Sequence, residues 1–337
     1  MGGERDASEA YTMARVLIAP APLQGVEGEY RDLLLAAGHE VVQQTAGRQL
    51  REDEVITWLN GFDAVLAGSE PYTRKAIEAN PNLRVIARVG VGYDAVDVHA
   101  ATEHGRAVTI TPGTNHGSVA EHTFALMLAL AKRVVPQHNA VARGEWPRGI
   151  NVPLRGSVLG LAGLGRTGKA VALRAIAFEM TVIAYEPFPD REFCQRHGIE
   201  LVQFDDLMAR ADWLSLHLPA TEQSRHIINA NSLALMKPGA FIINTSRGAV
   251  LDETALADAL ASGRLGGAGL DVFEQEPPAK LSFFDRPNVV FTPHVAGVDS
   301  RSLADMAASA ASSAVEILAG HWPTDGRVVN PTARVNK

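Results

Sequence analysis

Short, apolar, β-branched runs alternate along this chain with longer segments whose apolar residues recur every three or four positions. The alternation of period-two and period-3.6 patterning predicts strand and helix in turn, which is α/β layering with parallel sheets. Residues 15–19, 41–43, 64–67, 83–89 and 107–110 read as strands. Residues 30–37, stopped by Gly38, and 52–59 read as helices. The Pro112-Gly113 turn closes a first unit of about a hundred residues, the size of a small domain.

A mostly apolar helix is expected over 118–134, with Ser118 as N-cap and Glu121 completing a capping box. Its apolar residues fall on more than one face, so burial on two sides is expected, between domains or between subunits; an ordinary core helix would show the same pattern. A second unit opens at Ser157, with strands at 158–161, 181–185, 213–217, 241–244, 269–272 and 289–291 and a helix at 169–178. The last helix, 302–318, follows the completed second unit and is expected to return to the first. The reading is therefore one discontinuous domain, 13–112 with 299–337, and a second domain, 113–298. Residues 1–12 read as a poorly ordered leader.

Composition narrows the partners. The 337 residues are 46% apolar and 20% charged, which suits two globular domains with real cores. The net charge of -7, with no run of Lys or Arg, argues against nucleic acid and against an anionic membrane surface. Residues 124–131, the most apolar run, fall far short of the ~20 needed to span a bilayer. Residues 1–13 lack the apolar core of a signal peptide. The single cysteine, Cys194, allows no internal disulfide and points to a reducing, cytoplasmic compartment. Eleven scattered histidines form no HExxH, and one cysteine forms no CxxC, so no metal site is expected.

The first candidate chemistry is Gly163-Leu164-Gly165-Arg166-Thr167-Gly168, placed directly after a β run and opening a helix. A glycine-rich surface loop can match this spacing by chance, but here the context is that of a dinucleotide-binding turn. Gly163 would permit the tight turn, Gly165 the approach of a pyrophosphate, and Gly168 close helix–strand packing. Backbone N–H groups near Arg166 and Thr167 would face the anion at the helix N-terminus. The next strand ends in Tyr185-Glu186, an acid eighteen residues beyond Gly168. An acid there accepts from ribose hydroxyls and repels a 2′-phosphate, which selects NAD over NADP. Arg191 is the one nearby cation and reads as a solvated helix residue.

Three further segments end strands of the second unit: Asn244-Thr245-Ser246-Arg247-Gly248, Asp271 through Pro278 (DVFEQEPP), and Thr292-Pro293-His294-Val295-Ala296-Gly297. Hydride transfer to a 2-keto acid needs a carboxylate clamp, for which the Arg fork is suited, a group polarising the carbonyl oxygen, and a proton donor such as His. In a parallel sheet the C-terminal strand ends converge, so residues remote in sequence can meet.

From about Val65 onward the sequence resembles the D-isomer-specific 2-hydroxyacid dehydrogenases, a family with phosphoglycerate, glycerate and glyoxylate/hydroxypyruvate members. The resemblance implies a Rossmann-type doubly wound sheet that binds NAD, plus a smaller flavodoxin-like substrate domain. It also implies hydride transfer between NAD(H) and C2 of a small D-2-hydroxy or 2-keto acid, and a homodimer. Carried over residue by residue, it makes Arg247, Glu276 and His294 the catalytic set. Arg247 would bind the substrate carboxylate and polarise the keto oxygen; His294 would be the acid/base and Glu276 the carboxylate paired with it. Glu274 competes for that pairing, but the family places its catalytic glutamate directly before the proline. Thr245, Ser246, Asp271, His217, Pro219 and Gly297 match cofactor-lining positions, with Asp271 on the nicotinamide carboxamide. The loop Arg88 to Asp94 resembles the substrate loop, where N–H groups of Val91 and Gly92 would meet the carboxylate; Ser69 and Glu70 would touch the distal part of the substrate. His122 reads as structural. The usual acid at position 186 is Asp rather than Glu, and the chain stops soon after Pro331 without the regulatory domain of longer phosphoglycerate dehydrogenases. An NAD(H)-sensing corepressor and a phosphite dehydrogenase share these motifs and are the competing readings.

Overall fold

The computed structural model describes residues 13–333; the expected leader and the last four residues lie outside the described residues. The chain forms two compact units, crossing from one to the other between Asn115 and His116 and returning between Asp299 and Ser300.

The first unit is built on a parallel sheet of β1 (Arg15–Ile18), β2 (Glu40–Gln43), β3 (Ala64–Ala67), β4 (Val85–Arg88) and β5 (Ala107–Thr109), in the order β2-β1-β3-β4-β5. Its central strands are apolar on nearly every residue because both faces are covered. Successive side chains divide between the faces as the pleat requires. Leu17, Val65, Ile86 and Val108 enter one core with Val55, Ile77 and Ala100. Val16, Ile18, Leu66, Val85 and Ala107 enter the other, against Ala307, Ala310, Ala311, Ala314 and Ile317 of the helix Ser300–Leu318. The alanine stripe of that helix lets its backbone lie close to the sheet. The segment after it pairs at β5 through Thr109 and Val328, and the buried Asn330 side chain accepts from Val108 N–H at 2.8 Å.

The second unit holds β6 (Val158–Ala162), β7 (Thr181–Tyr185), β8 (Glu200–Leu201), β9 (Trp213–Leu216), β10 (Ala240–Asn244), β11 (Leu265–Leu270) and β12 (Val289–Phe291). All pairs are parallel, in the order β12-β11-β10-β9-β6-β7-β8. This is the doubly wound arrangement, and the strand order reverses between β6 and β9. Ligands in such sheets bind beyond the carboxyl ends of the strands at that reversal.

The apolar helix runs over His116–Ala131, starting two residues before Ser118. The capping box expected at Ser118 is not formed. Its hydroxyl, buried, donates instead to the carbonyl of Ala296 at 2.8 Å, and Glu121 turns outward to Arg174. Phe124, Leu126, Met127 and Leu130 pack with Leu159, Leu161 and Val171 of the same unit. The helix therefore spends its apolar surface against its own sheet and the helix Arg166–Ala177. Its polar residues reach the loops beyond β10 and β12: Thr123 Oγ1 lies 3.0 Å from Thr245 Oγ1, and His122 Nε2 lies 2.8 Å from Thr292 Oγ1.

Candidate active site

The glycine turn follows β6 at the strand-order reversal. Gly163 adopts φ 100°, open to glycine, and a Cβ there would lie 2.6 Å from the carbonyl oxygen of His217 at the end of β9. A Cβ on Gly168 would overlap the Gly163 carbonyl, whereas one on Gly165 would meet nothing within 4 Å. Two glycines are thus required by crowding within the protein, and the third leaves bare backbone facing open space. Gly165 is the N-cap of Arg166–Ala177, a twelve-residue helix that starts three residues earlier than the sequence pattern placed it. Arg166, Thr167 and Gly168 therefore contribute the first-turn N–H groups, which have no acceptors within the helix. The arrangement fits a pyrophosphate.

Beyond β7, Tyr185 packs edge-on against Phe204, and Glu186 accepts from Leu164 N–H at 2.8 Å and from Phe188 N–H at 3.1 Å. The acid is thereby tied to the glycine turn itself, where a ribose would end. His217 Nε2 lies 2.9 Å from Ser215 Oγ, and burial pushes the imidazole down to a pKa of about 4. It is neutral near pH 7 and brings no charge to the turn. Pro219, just after it, is exposed, and its carbonyl accepts from Ser224. Replacing Glu186 with alanine is expected to weaken NAD binding and narrow its margin over NADP. Dissociation constants for both nucleotides check this, and an unchanged ratio would remove Glu186 from cofactor selection.

The three chemical segments follow three adjacent strands. After β10, Asn244 shapes the turn: its side chain accepts from Ser246 N–H and Oγ and donates to the Arg247 carbonyl at 2.9 Å. Arg247 then stands half-buried, with Nη1 on the Ser246 carbonyl at 2.7 Å. After β11, Asp271 is fully buried. Its carboxylate accepts from Thr292 Oγ1 at 2.6 Å and from the N–H groups of Val295 and Ala296, both at 2.9 Å. Asp271 thereby clamps the loop Thr292 to Gly297. The clamp holds His294 at φ 54°, rare for a residue with a side chain, with its N–H on the Asp271 carbonyl at 2.8 Å.

His294 Nδ1 lies 2.6 Å from Glu276 Oε2, and Glu276 Oε1 accepts from Phe273 N–H. This bond leaves Nε2 as the ring atom that can carry a proton to a substrate. Burial raises the Glu276 pKa, but the His294 hydrogen bond and charge, Phe273 N–H and the Arg247 guanidinium outweigh it, and the net shift is downward. The carboxylate form of Glu276 is thereby favoured. Arg247, Glu276 and His294 form one electrostatic unit.

Gly248, unremarked in the sequence, is what lets these segments meet. A Cβ there would overlap the carbonyl of Phe273, so the turn after β10 lies directly on the loop that carries Glu276. The only signal was a glycine in NTSRG with no task of its own. Gly248→Ala is expected to cost about 1–3 kcal/mol of stability through overpacking, read by urea denaturation.

In the first unit, the loop after β4 is braced from beneath. Buried Arg88 donates through Nε to the Gly92 carbonyl at 2.8 Å and through Nη1 to the carbonyls of Ala67 and Gly68. Among the described residues the N–H groups of Val91 and Gly92 have no backbone acceptor, as an anion-binding loop requires. Glu70 turns inward. Only 1% exposed, it bonds Tyr72 Oη at 3.2 Å, and burial raises its pKa against the pull of backbone N–H groups and Arg88. It braces the segment after β3 from inside. Its neighbour Ser69 is exposed and accepts through its carbonyl from Gln49.

The fold and the glycine turn define a Rossmann-type dinucleotide-binding protein. Residues 124–296 match the family model for the D-isomer specific 2-hydroxyacid dehydrogenase, NAD binding domain. A D-3-phosphoglycerate dehydrogenase of Archaeoglobus fulgidus is 37% identical over 290 residues, 84% of this chain and 53% of that protein. A glyoxylate reductase of Thermococcus litoralis is 39% identical over 264 residues, 76% of this chain and 80% of that protein. The crystal structure of the TT0316 protein from Thermus thermophilus superposes with a TM-score of 0.83 at 34% identity, covering 94% of this chain and 99% of that one. The chain belongs to the D-isomer specific 2-hydroxyacid dehydrogenase family, whose cofactor is NAD. It spans about half the length of the phosphoglycerate dehydrogenases it matches.

Proposed function

We propose that this protein moves a hydride between NAD(H) and C2 of a small D-2-hydroxy or 2-keto acid, of the hydroxypyruvate, glyoxylate or 3-phosphoglycerate type. The observation that carries the reading is the His294–Glu276 bond, set beside Arg247 at the carboxyl ends of β10, β11 and β12. When bound, the nicotinamide supplies or accepts the hydride. Arg247 holds the substrate carboxylate and stabilises the negative charge that grows on the keto oxygen. His294, charged while reduction proceeds, gives its Nε2 proton to that oxygen; Glu276 stabilises the imidazolium and fixes the ring. In oxidation the neutral imidazole takes the proton back. In the first unit, Val91 and Gly92 are kept as N–H donors to a substrate anion, and Ser69 for the distal end of a substrate.

The test is NADH consumption by the purified chain with glyoxylate, hydroxypyruvate, phosphohydroxypyruvate and pyruvate, repeated with NADPH. Nucleotide binding without turnover on any of them would overturn the reading in favour of a sensor. The reducing compartment suggested by Cys194, which is free and buried, supports a cytoplasmic site of action. The homodimer is assigned to the exposed apolar residues that follow the buried helix, Val134, Val135, Val141, Trp146 and Ile150, since a two-fold contact needs one self-complementary patch.

A further inference from the structure

Glu274 competes with Glu276 in the sequence motif, and the mechanism leaves it without a task. In the structure it has its own histidine. Glu274 Oε2 lies 3.0 Å from His226 Nε2. Its other oxygen accepts from Glu253 N–H at 3.0 Å, while Glu253 Oε1 accepts from Glu274 N–H at 2.8 Å. Side chain and backbone of two glutamates thus clasp each other across the start of the helix Glu253–Ala261. His226 is held at φ 47°, and its N–H donates to the carbonyl of Ala249 at 2.9 Å. Ala249 lies two residues after Arg247, and Glu274 two residues before Glu276. One residue therefore touches both chemical segments: His226 by its backbone on the Arg247 turn and by its ring on the Glu276 loop.

We propose that His226 and Glu274 are positioning residues that hold the Glu276 loop and the Arg247 turn in register, so that Glu276 meets His294. This rests on the acid–base reading of Glu276 and His294 given above. As a partly exposed side-chain contact, His226 and Glu274 contribute little to stability. Their geometry has a use because Glu276 reaches His294 from a loop, and a displacement of an ångström breaks a 2.6 Å bond. The charges around them are Glu253, Glu276, Arg247 and His294. Burial raises the Glu253 pKa, the Glu274 and Glu276 charges add to the rise, and His226 opposes it.

The experiment compares Glu274→Ala with Glu274→Gln in the full chain. Both remove the charge, but glutamine keeps a carbonyl oxygen for Glu253 N–H. Turnover is expected to fall about 10- to 100-fold in the alanine variant, with the KM for NADH nearly unchanged, and to recover within about threefold in the glutamine variant. The second readout is the Glu276 carboxyl titration by 13C NMR, assigned with Glu276→Gln. Loss of a neighbouring negative charge alone would lower its midpoint in both variants. Loss of register raises it toward the ordinary glutamate value in Glu274→Ala only. Equal titration of the two variants would overturn the proposal. If the wild-type chain reduces no 2-keto acid, the functional reading fails, and the titration still decides the clasp. Should Glu274→Ala not fold, His226→Ala against His226→Gln gives the same contrast.

Discussion

Replacing His294 with asparagine is expected to lower kcat for 2-keto acid reduction by about 100- to 10,000-fold while NADH binds as before. Asparagine can still bond Glu276, whose carboxylate accepts from His294 at 2.6 Å, so the loop should hold its shape. What it cannot do is carry a proton at the position of Nε2. The loss should therefore fall on kcat and kcat/KM alike, the signature of an interaction made in the transition state. The wild-type pH profile should carry the complementary mark. Glu276 has a depressed pKa, so its anion is lost only as pH falls through the carboxylate region. Steady-state rates against pH, with NADH affinity measured by fluorescence, check both points. Turnover within tenfold of wild type in His294→Asn would end the acid/base assignment.

Truncating Arg247 to alanine should damage binding and rate together, with kcat/KM reduced by about 100- to 1,000-fold. The guanidinium is assigned both to the substrate carboxylate, bound in ground and transition states, and to the keto oxygen, whose charge grows only in the transition state. A rise in KM with kcat unchanged would leave only the first of these roles. Arg247→Lys separates charge from shape, because an ammonium cannot offer two parallel donors. A partial rescue is expected, short of full activity. Arg247 also lowers the Glu276 pKa, so the alanine variant should move the acid limb of the profile upward.

The tertiary structure revised the reading in a consistent direction. Ser118 had the local signature of an N-cap, yet its hydroxyl serves the carbonyl of Ala296, 178 residues away in sequence. Asp271 and Glu70 are buried, and each bonds groups of the protein itself, which their sequence segments did not foretell. Gly248, His226 and Glu253 had no sequence signal beyond the unclaimed glycine of NTSRG, and each acts through a partner remote in sequence.

Local patterning alone determined the alternation of strands and helices, because the side-chain periods of the two structures are fixed by backbone geometry. The glycine turn was legible for the same reason: crowding within a strand–turn–helix unit is a short-range constraint. The roles of Arg247, Glu276 and His294 came from the family resemblance carried by their motifs; residue types alone showed only that such groups were on offer. Only the folded chain decided which acids face inward, that Glu274 pairs with His226, and what holds each loop in place. Those choices depend on burial and on hydrogen bonds between segments that the sheet brings together, and neither leaves a periodic trace in the sequence.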